Sequence, residues 1–254
     1  MSRWREGRSS FRGGNYLQVL AWAHGRMRPR TYVEVGVNKG KSVSLALPDT
    51  VVAAIDPTPK ISWPITRRTT VLEMTSDCAF DEGHVDRVLA GRSVELAFVD
   101  GLHQAEVALR DYLNIEQRTV RGSAVLFHDC LPEDEAMAAR ERGEARRWTG
   151  DVWKVVEWIR RHRPSLCVDV FDSPPSGLAL ITGFGLDVSD EAKELGQDLE
   201  AATFGDFVAV RSDWAPVAPS GDLLADRMPA ASRVRLPLPM AKALRHRRRS
   251  RGRA

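Results

Sequence analysis

Polar side chains recur in this sequence at the points where apolar, strand-like runs end. Five runs are followed by acids, hydroxyls or imidazoles, namely Glu34 to Gly40, Asp56, Ser76 with Asp77, Asp100 with His103, and His128 with Asp129. Such groups can bind a cation, accept the hydroxyls of a ribose or take a proton from a reacting group. If the five runs are parallel strands, their carboxyl ends meet at one edge of a sheet and these groups share one ligand site.

Seven apolar runs have the length of buried strands, at residues 31–37, 51–56, 69–74, 94–100, 123–129, 166–172 and 177–184. Helical periodicity occurs between and around them, at residues 15–27, 104–120, 151–164 and 189–204. This alternation predicts an α/β fold with a mostly parallel sheet and helices on both faces. Only residues 173–176 separate the last two runs, which suits a hairpin, so the seventh strand is expected to be antiparallel.

Composition favours one cytoplasmic domain with tails. The chain has 254 residues, of which 43% are hydrophobic, enough for one core of good size. The three cysteines, Cys78, Cys130 and Cys167, lack metal-ligand spacing, which favours reduced thiols. No run is apolar over the roughly 18 residues that a membrane span needs, and the arginine-rich start lacks the apolar stretch of a signal peptide. The sequence therefore predicts a cytoplasmic protein without a membrane partner.

Positive charge is concentrated at the two ends of the chain. The last ten residues contain six arginines, the first twelve carry a surplus of three positive charges, and the whole chain carries only +3. Residues 13–244 are therefore acidic by six charges. An acidic body argues against an extended nucleic-acid groove, whose positive charge should lie on the fold itself. The basic tail is interpreted as a solvated end, with docking to a phosphate-rich partner as the alternative.

The loop after the first strand limits the kinds of ligand that this site could bind. Residues 34–40 read E-x-G-x-x-x-G, with Glu34 at the place where dinucleotide enzymes have their first glycine. An acid there would repel a pyrophosphate but suits a ligand with an ammonium or sulfonium group. Gly36 allows a tight turn beneath a ligand, and Gly40 allows a helix to start close by. Asp56 follows the second strand, where a carboxylate can accept both ribose hydroxyls. Together these features indicate a nucleoside with a cationic tail.

With these motifs the sequence resembles the class I S-adenosylmethionine-dependent methyltransferases over about residues 15–185. The segments "VEVGVNKGKS", "AAID" and "LAFVDGLH" followed by "FHDC" carry the resemblance, and the last two are similar to the small-molecule O-methyltransferase branch. The resemblance implies a Rossmann-like seven-stranded sheet whose last strand is antiparallel. It also implies that S-adenosylmethionine is bound by Glu34, Gly36, Gly40, Asp56, Ser76, Asp77 and Asp100.

The residues after the fourth and fifth strands, where the methyl acceptor would bind, allow two mechanisms. Relatives of this branch bind a divalent cation through acids after the fourth and fifth strands, and Asp100 with Asp129 matches two such positions. Where those relatives carry two adjacent acids, this chain has His128 and Asp129. Two carboxylates and an imidazole could hold Mg²⁺ or Mn²⁺. Alternatively, His103 or His128 acts as a general base without a metal. The predicted catalytic residues are His103, His128 and Asp129, and the predicted metal ligands are Asp100 and Asp129.

The sequence thus predicts a methyltransferase that transfers a methyl group from S-adenosylmethionine to a hydroxyl of a small molecule, a sugar or a secondary metabolite. The alternatives are a nucleic-acid methyltransferase docked by the basic tail, and a non-catalytic binding module with the same fold. The predicted parts are a flexible basic N-terminus (1–14), the methyltransferase domain (15–211) and a largely disordered Pro/Arg-rich tail (212–254). The charged segment 131–150 is read as an exposed helix or lid, and the helix at 189–203 could serve a homo-oligomer interface.

Overall fold

Seven strands form a single sheet in the computed structural model, which describes residues 13–185 and 194–231. The strands are β1 Thr31–Val35, β2 Val51–Ile55, β3 Thr69–Leu72, β4 Val94–Val99, β5 Thr119–His128, β6 Cys167–Phe171 and β7 Leu178–Thr182. Their order across the sheet is β3-β2-β1-β4-β5-β7-β6. Six of the seven runs predicted from the sequence contain one of these strands, and the fifth, 123–129, overlaps β5, which already begins at Thr119, within the stretch predicted as helix.

The sheet is parallel except for β7. Strands β1 to β5 pair in parallel with their neighbours, whereas β7 inserts between β5 and β6 and runs antiparallel to both. The predicted hairpin is therefore confirmed, as is the mostly parallel fold with one antiparallel strand. Because β1 to β5 share a direction, the polar residues that follow them lie at the same edge.

Helices cover both faces of the sheet. Within the described residues they are α1 Tyr16–Met27, α2 Ser76–Asp81, α3 His84–Val88, α4 Ala105–Glu116, α5 Glu135–Ala138, α6 Trp153–His162, α7 Gln197–Ala201, α8 Phe204–Trp214 and α9 Gly221–Arg227. Alternate strand residues divide between two cores. Val33 and Val99 belong to the core beneath α2, α3, α4 and α6, whereas Tyr32 and Phe98 belong to the core beneath α1 and α9. Burying each such side chain stabilises the fold by roughly 1.5–3 kcal/mol.

The segment between β5 and α6 differs from the exposed helix predicted for residues 131–150. Its described structure is the single turn α5 followed by turns and bends, and Met137 and Ala138 are buried. Trp148 donates its indole N–H to the carbonyl oxygen of Ala139 at 2.6 Å. The segment with alternating charges is therefore an irregular surface loop, held to the domain by buried Met137 and Ala138 and closed by the Trp148–Ala139 hydrogen bond.

The C-terminal part also differs from the prediction. The boundary expected at residue 212 falls inside α8, and α9 follows in a stretch that the sequence predicted as largely disordered. Within α9, Leu224 is fully buried, because it packs in the core beneath α1. Of the helix predicted at 189–204, only the part from residue 197 is observed, as α7 and the start of α8. Residues 186–193 and most of the predicted tail lie outside the described residues.

No helix among residues 13–185 and 194–231 combines the length and apolar character needed to cross a membrane. At the N-terminal end, Gly13 donates its N–H to the carbonyl oxygen of Pro219 at 2.9 Å, and the carbonyl of Gly14 accepts the hydroxyl of Ser173. The last two residues of the predicted N-terminal tail are thus bound to the domain, and the first twelve lie outside the described chain.

Candidate active site

A cleft of about 660 Å³ opens at the carboxyl ends of the parallel strands. Its walls bring together eight of the ten predicted site residues, namely Gly36, Asp56, Ser76, Asp77, Asp100, His103, His128 and Asp129. The volume lies in the range typical of small-molecule sites. The sheet edge therefore gathers these side chains in space although they are spread over 94 positions of sequence.

Gly36 is required by the close contact between two strand ends. A Cβ atom at this position would lie 1.9 Å from the carbonyl oxygen of Asp100, and the φ angle of Gly36 is +87°. Any side chain would collide with backbone that cannot move, because Asp100 donates its N–H to the carbonyl oxygen of Val35 at 2.8 Å. The absence of a side chain at Gly36 thus allows the loops that follow β1 and β4 to lie in contact at the bottom of the cleft.

Asp56 is fixed by the backbone around it. Its Oδ2 accepts the N–H of Asn38 at 2.7 Å, and its Oδ1 accepts the N–H of Thr58 at 2.8 Å. No helix follows β2 directly, so Asp56 is not the helix cap that is the ordinary role of an acid after a strand. Each carboxylate oxygen can still accept another hydrogen bond, which is what two neighbouring ribose hydroxyls would supply.

The far end of the cleft is formed by the start of α2 and by α4. Thr75 caps α2, which places Ser76 and Asp77 at the cleft wall. Asp77 accepts two hydrogen bonds from the guanidinium of Arg110, at 3.0 and 3.1 Å. Asp111 also lines this end of the cleft, although only 1% of its surface is exposed, and burial raises its pKa to about 7. Sequence analysis missed Asp111, although an acid on the apolar stripe of α4 is a visible signal.

Glu34 and Gly40 do not line the cleft, which corrects the prediction for both. Glu34 is fully buried, and its carboxyl oxygens accept the hydroxyls of Tyr32 at 2.6 Å and Ser42 at 2.5 Å. Burial raises the pKa of Glu34 to about 8. Gly40 packs under Ile61, whose Cδ1 would lie 3.2 Å from an added Cβ. Both residues therefore support the loop after β1, Glu34 through its buried hydrogen bonds and Gly40 through its contact with Ile61.

Two carboxylates and two imidazoles meet at the ends of β4 and β5. His103 Nε2 lies 3.0 Å from Asp129 Oδ2 and 3.7 Å from Asp100 Oδ1. His128 Nδ1 lies 3.1 Å from Asp100 Oδ1 and 3.3 Å from Asp129 Oδ2. The four ligand-type atoms therefore alternate, nitrogen and oxygen, around one small space. The structure brings together all four residues that the sequence assigned to the acceptor side.

Charge in this cluster is balanced between the acids and the imidazoles. Burial opposes the charged form of His128, but Asp100 and Asp129 outweigh it and raise the pKa of His128 to about 10. They also raise the pKa of His103 against burial. Burial opposes ionisation of Asp100 as well, yet the two imidazoles lower its pKa. The buried carboxylates thus require positive charge at the positions that face them.

Contacts from outside the cleft hold this cluster in place. His103 Nδ1 lies 3.0 Å from the carbonyl oxygen of Trp148, which can only accept, so Nδ1 carries the proton. Gly150, at φ +58°, lies so close that an added Cβ would be 1.7 Å from the carbonyl oxygen of His103. Asp129 has a φ of +58°, and its Oδ1 accepts a short hydrogen bond from Ser176. Sequence analysis missed Ser176, because nothing in the local pattern marks a contact across 47 residues.

Tyr16, the first residue of α1, also contacts this cluster, and sequence analysis did not single it out. Its ring centroid lies 4.1 Å from that of His128, and it stacks on Phe98 at 6.0 Å. Burial, together with Asp100, Asp129 and Glu34, raises the pKa of Tyr16 to about 12. Helix α1 therefore places an aromatic ring against the imidazole of His128.

The donor set fits a divalent cation. Asp100, His103 and Asp129 each offer one ligand atom, and these atoms lie within 4.8 Å of one another. Atoms that share an ion at about 2.0–2.2 Å lie roughly 3–3.5 Å apart, and the separations of 3.0 and 3.7 Å within this group come near that range. A histidine ligand that donates its other N–H to a carbonyl, as His103 does to Trp148, is a common second contact at metal sites.

Comparison with known proteins finds a matching family model for the middle of the chain. Residues 33–130 match the family model described as "Methyltransferase domain". The predicted resemblance to methyltransferases is thereby confirmed for this stretch, which runs from β1 to the residue after Asp129. No curated protein matches the sequence.

Solved structures with a similar fold are distant in sequence. An O-methyltransferase family protein from Burkholderia thailandensis is 15% identical, with a TM-score of 0.46 over 67% of this chain and 56% of that one. The O-methyltransferase TomG from Streptomyces achromogenes is 12% identical, with a TM-score of 0.47 over 66% and 78%. A putative rRNA-methylase from Clostridium thermocellum is 13% identical, with a TM-score of 0.49 over 68% and 97%. At these identities the neighbours do not define a substrate for this chain.

Proposed function

We propose that this chain, which carries a methyltransferase domain over residues 33–130, transfers a methyl group from S-adenosylmethionine to a hydroxyl of a small molecule. The observation that carries the proposal is the continuity of one cleft. The same walls contain Asp56, which suits a ribose, and the carboxylate and imidazole cluster at Asp100, His103 and Asp129. A nucleoside donor and a hydroxyl acceptor bound at these two ends would meet at Asp100.

Cofactor binding is assigned to the walls of the cleft. Asp56 would accept the two ribose hydroxyls with the lone pairs that Asn38 and Thr58 leave free. Ser76 and Asp77 would contact the base, at the end of the cleft closed by α2 and α4. S-adenosylmethionine supplies a methyl group on a positively charged sulfur, and the carboxylate of Asp100 on the cleft wall would face that charge.

Acceptor activation is assigned to the cluster at the other end. Asp100 and Asp129, with His103 as the third group, would hold a divalent cation. Such an ion, when bound, lowers the pKa of a hydroxyl and fixes its direction. The protein then mainly orients the two reactants, since in-line transfer depends on their distance and alignment. Trp148 and Ser176 keep His103 and Asp129 in position for this task.

Calorimetric titration with S-adenosylhomocysteine tests the cofactor half. We expect micromolar binding that weakens at least about 100-fold in Asp56→Ala, because two hydrogen bonds to a carboxylate are worth roughly 1.5–3 kcal/mol each. Asp49→Ala, which removes an exposed acid at the opposite edge, is the matched control. If the wild type does not bind S-adenosylhomocysteine at all, the methyltransferase proposal is wrong.

Titration with Mn²⁺ and with Mg²⁺ tests the acceptor half separately. We expect a binding heat that disappears in Asp100→Asn and persists in the Asp49→Ala control. Absence of any heat with either ion would overturn the metal assignment without touching the cofactor assignment. The proton of the acceptor would then pass to the His103 and Asp129 pair, whose polar atoms lie 3.0 Å apart.

A further inference from the structure

The loop between β5 and α6 lies beside the cleft described above and also beside a second one. The second cleft has a volume of about 830 Å³ and is lined by residues between 131 and 216, on this loop, the β6–β7 hairpin and α8. Arg147 lines the second cleft, whereas the next residue, Trp148, contacts His103 in the first. Residues 148–151, called the backing segment, lie outside the stretch that matches the methyltransferase family model.

The backing segment contacts both the side chain and the backbone of His103. The carbonyl oxygen of Trp148 accepts the Nδ1–H of His103 at 3.0 Å, and the centroid of the indole lies 5.1 Å from that of the imidazole. Gly150 packs against the backbone of His103, where an added Cβ would lie 1.7 Å from the carbonyl oxygen. These contacts leave Nε2 of the ring to face Asp129, at 3.0 Å.

Asp151 makes the third contact, at the start of α4. Gln104, at the N-cap position of this helix, makes no capping hydrogen bond with its side chain. Instead, Asp151 Oδ1 accepts the N–H of Ala105 at 2.8 Å, and both residues are buried. A carboxylate at a helix N-terminus also interacts favourably with the helix dipole. Asp151 therefore fixes the end of the short loop that carries His103.

The backing segment is itself anchored in the interior. Thr149 is fully buried, and its N–H and its hydroxyl both donate to the carbonyl oxygen of Met137, at 3.0 and 2.9 Å. Asp151 Oδ2 lies 3.4 Å from Lys154 Nζ, which donates to the carbonyl oxygen of Glu200 at 3.0 Å. Asp151 and Lys154 are each only 6% exposed. The carboxylate thus has one position, with one oxygen on α4 and the other on the lysine.

The same loop also contacts α4 at the surface. Arg140 forms an ion pair with Glu106, and Gln104 donates to Glu141 at 3.1 Å. The side chains of Arg140 and Glu106 are 49% and 40% exposed. Exposed ion pairs contribute little to stability because water and salt screen them. The chain therefore joins the same two elements by a buried contact and by an exposed one, which allows a matched comparison.

We propose that Asp151 is a positioning residue, which caps α4 from the backing segment and thereby holds the imidazole of His103 against Asp129 in the first cleft. The assignment rests on the proposed function, in which His103 binds the metal or takes the acceptor proton. Asp151 acts from outside that cleft, through the backbone of residues 103–105 and through its neighbours Trp148 and Gly150.

Four variants of the full chain separate positioning from stability. Asp151→Ala removes the cap, and Asp151→Asn keeps an oxygen that can accept the N–H of Ala105. Arg140→Gln breaks only the exposed ion pair and is the matched control. The double variant Asp151→Ala with Gln104→Asp restores a helix cap from within α4 but leaves the backing segment unconnected. The double variant therefore keeps the helix stable even where Asp151→Ala alone unfolds.

The first readout is the downfield proton NMR signal of the His103 Nδ1–H in the chain without ligand, assigned by its absence in His103→Gln. This proton is visible while its hydrogen bond to Trp148 slows exchange with water. We expect the signal in the wild type, in Asp151→Asn and in Arg140→Gln. It should be lost in Asp151→Ala and in the double variant.

The second readout is the affinity for Mn²⁺, measured by calorimetry. Loss of the groups that orient a metal-bound histidine commonly weakens metal binding about 10–100-fold. We expect about tenfold weaker binding in Asp151→Ala and in the double variant, and a change of less than threefold in Asp151→Asn and in Arg140→Gln. Binding of S-adenosylhomocysteine should change less than threefold in all four variants, which verifies that they are folded.

The proposal is overturned if Asp151→Ala keeps the His103 signal, if Gln104→Asp restores the signal and the Mn²⁺ affinity, or if Arg140→Gln loses them as Asp151→Ala does. These outcomes differ from failure of the proposed function. A wild type that binds no S-adenosylhomocysteine refutes the methyl transfer, and one that binds no Mn²⁺ refutes the metal. In both cases the His103 signal, which needs no ligand, still decides whether Asp151 positions the imidazole.

Discussion

The two clefts are neighbours at one sheet edge but are built in opposite ways. The first is lined by residues 35–129, at strand ends and in the short loops that leave them. The second is lined by residues 131–216, on a hairpin, an irregular loop and one helix. Buried ionisable groups such as Asp129 and His128 lie in the first cleft, whereas the charged residues Arg211 and Asp172 of the second are exposed.

This difference indicates that the two clefts suit different roles. Strand ends are fixed by the hydrogen bonds of the sheet, so the first cleft can hold charged groups to within tenths of an ångström, as catalysis requires. Loops and exposed helix faces accept substitutions without loss of the core, so the residues that line the second cleft can change.

The largest loss of activity that would test this difference between the clefts is expected from substitution of Asp129. Asp129→Ala removes a carboxylate that faces both imidazoles, and we expect turnover of the acceptor to fall about 1000-fold, as removal of proton-transfer or charge-stabilising groups commonly does. Binding of S-adenosylhomocysteine should change less than threefold, because Asp56 is untouched. Comparable activity of the variant and the wild type in a methyl-transfer assay would remove Asp129 from the reaction.

The sequence predicted the first cleft far better than the second, for a physical reason. Alternation of strands and helices fixes which residues end at the shared edge, so Asp56, Asp100 and Asp129 could be placed together without coordinates. Glu34 was misplaced because periodicity does not show which way the last residues of a strand turn. The contact of Ser176 with Asp129 could not be predicted, since it depends on how the hairpin packs against the β5 loop.

A smaller effect is expected at Ser176, where the two regions touch. Ser176→Ala removes the hydrogen bond to Asp129 Oδ1 and should lower kcat about tenfold, since this bond would orient the carboxylate that we propose takes part in the reaction. The KM for S-adenosylmethionine should not change, because Ser176 is outside the first cleft. Ser176→Thr restores a hydroxyl and should recover most of kcat. A loss that Thr does not rescue, or a matching rise in that KM, would mean that Ser176 acts through packing and does not position Asp129.

The smallest difference between the two clefts is expected from a substitution that changes the stability of the whole domain. His24 in α1 is fully buried, neither ring nitrogen has a hydrogen-bond partner in the described chain, and burial lowers its pKa from 6.5 to about 3. Between pH 6.5 and 3 the unfolded chain binds a proton that the folded chain excludes. Stability is therefore full above pH 6.5 and falls as the pH drops, by about 1.4 kcal/mol per pH unit from this residue.

His24→Phe keeps an aromatic ring against Tyr32, whose centroid lies 4.6 Å away in an edge-on contact, and removes the titrating group. Urea unfolding at pH 7, 6 and 5 should show a smaller loss of stability for the variant, by about 2 kcal/mol in total between pH 7 and pH 5, while both clefts keep their structure at pH 7. Equal slopes for variant and wild type would mean that His24 gains a proton or a partner in the folded state. If His24→Phe altered one cleft and not the other, α1 would support that cleft specifically. The two clefts would then not depend equally on the stability of the domain.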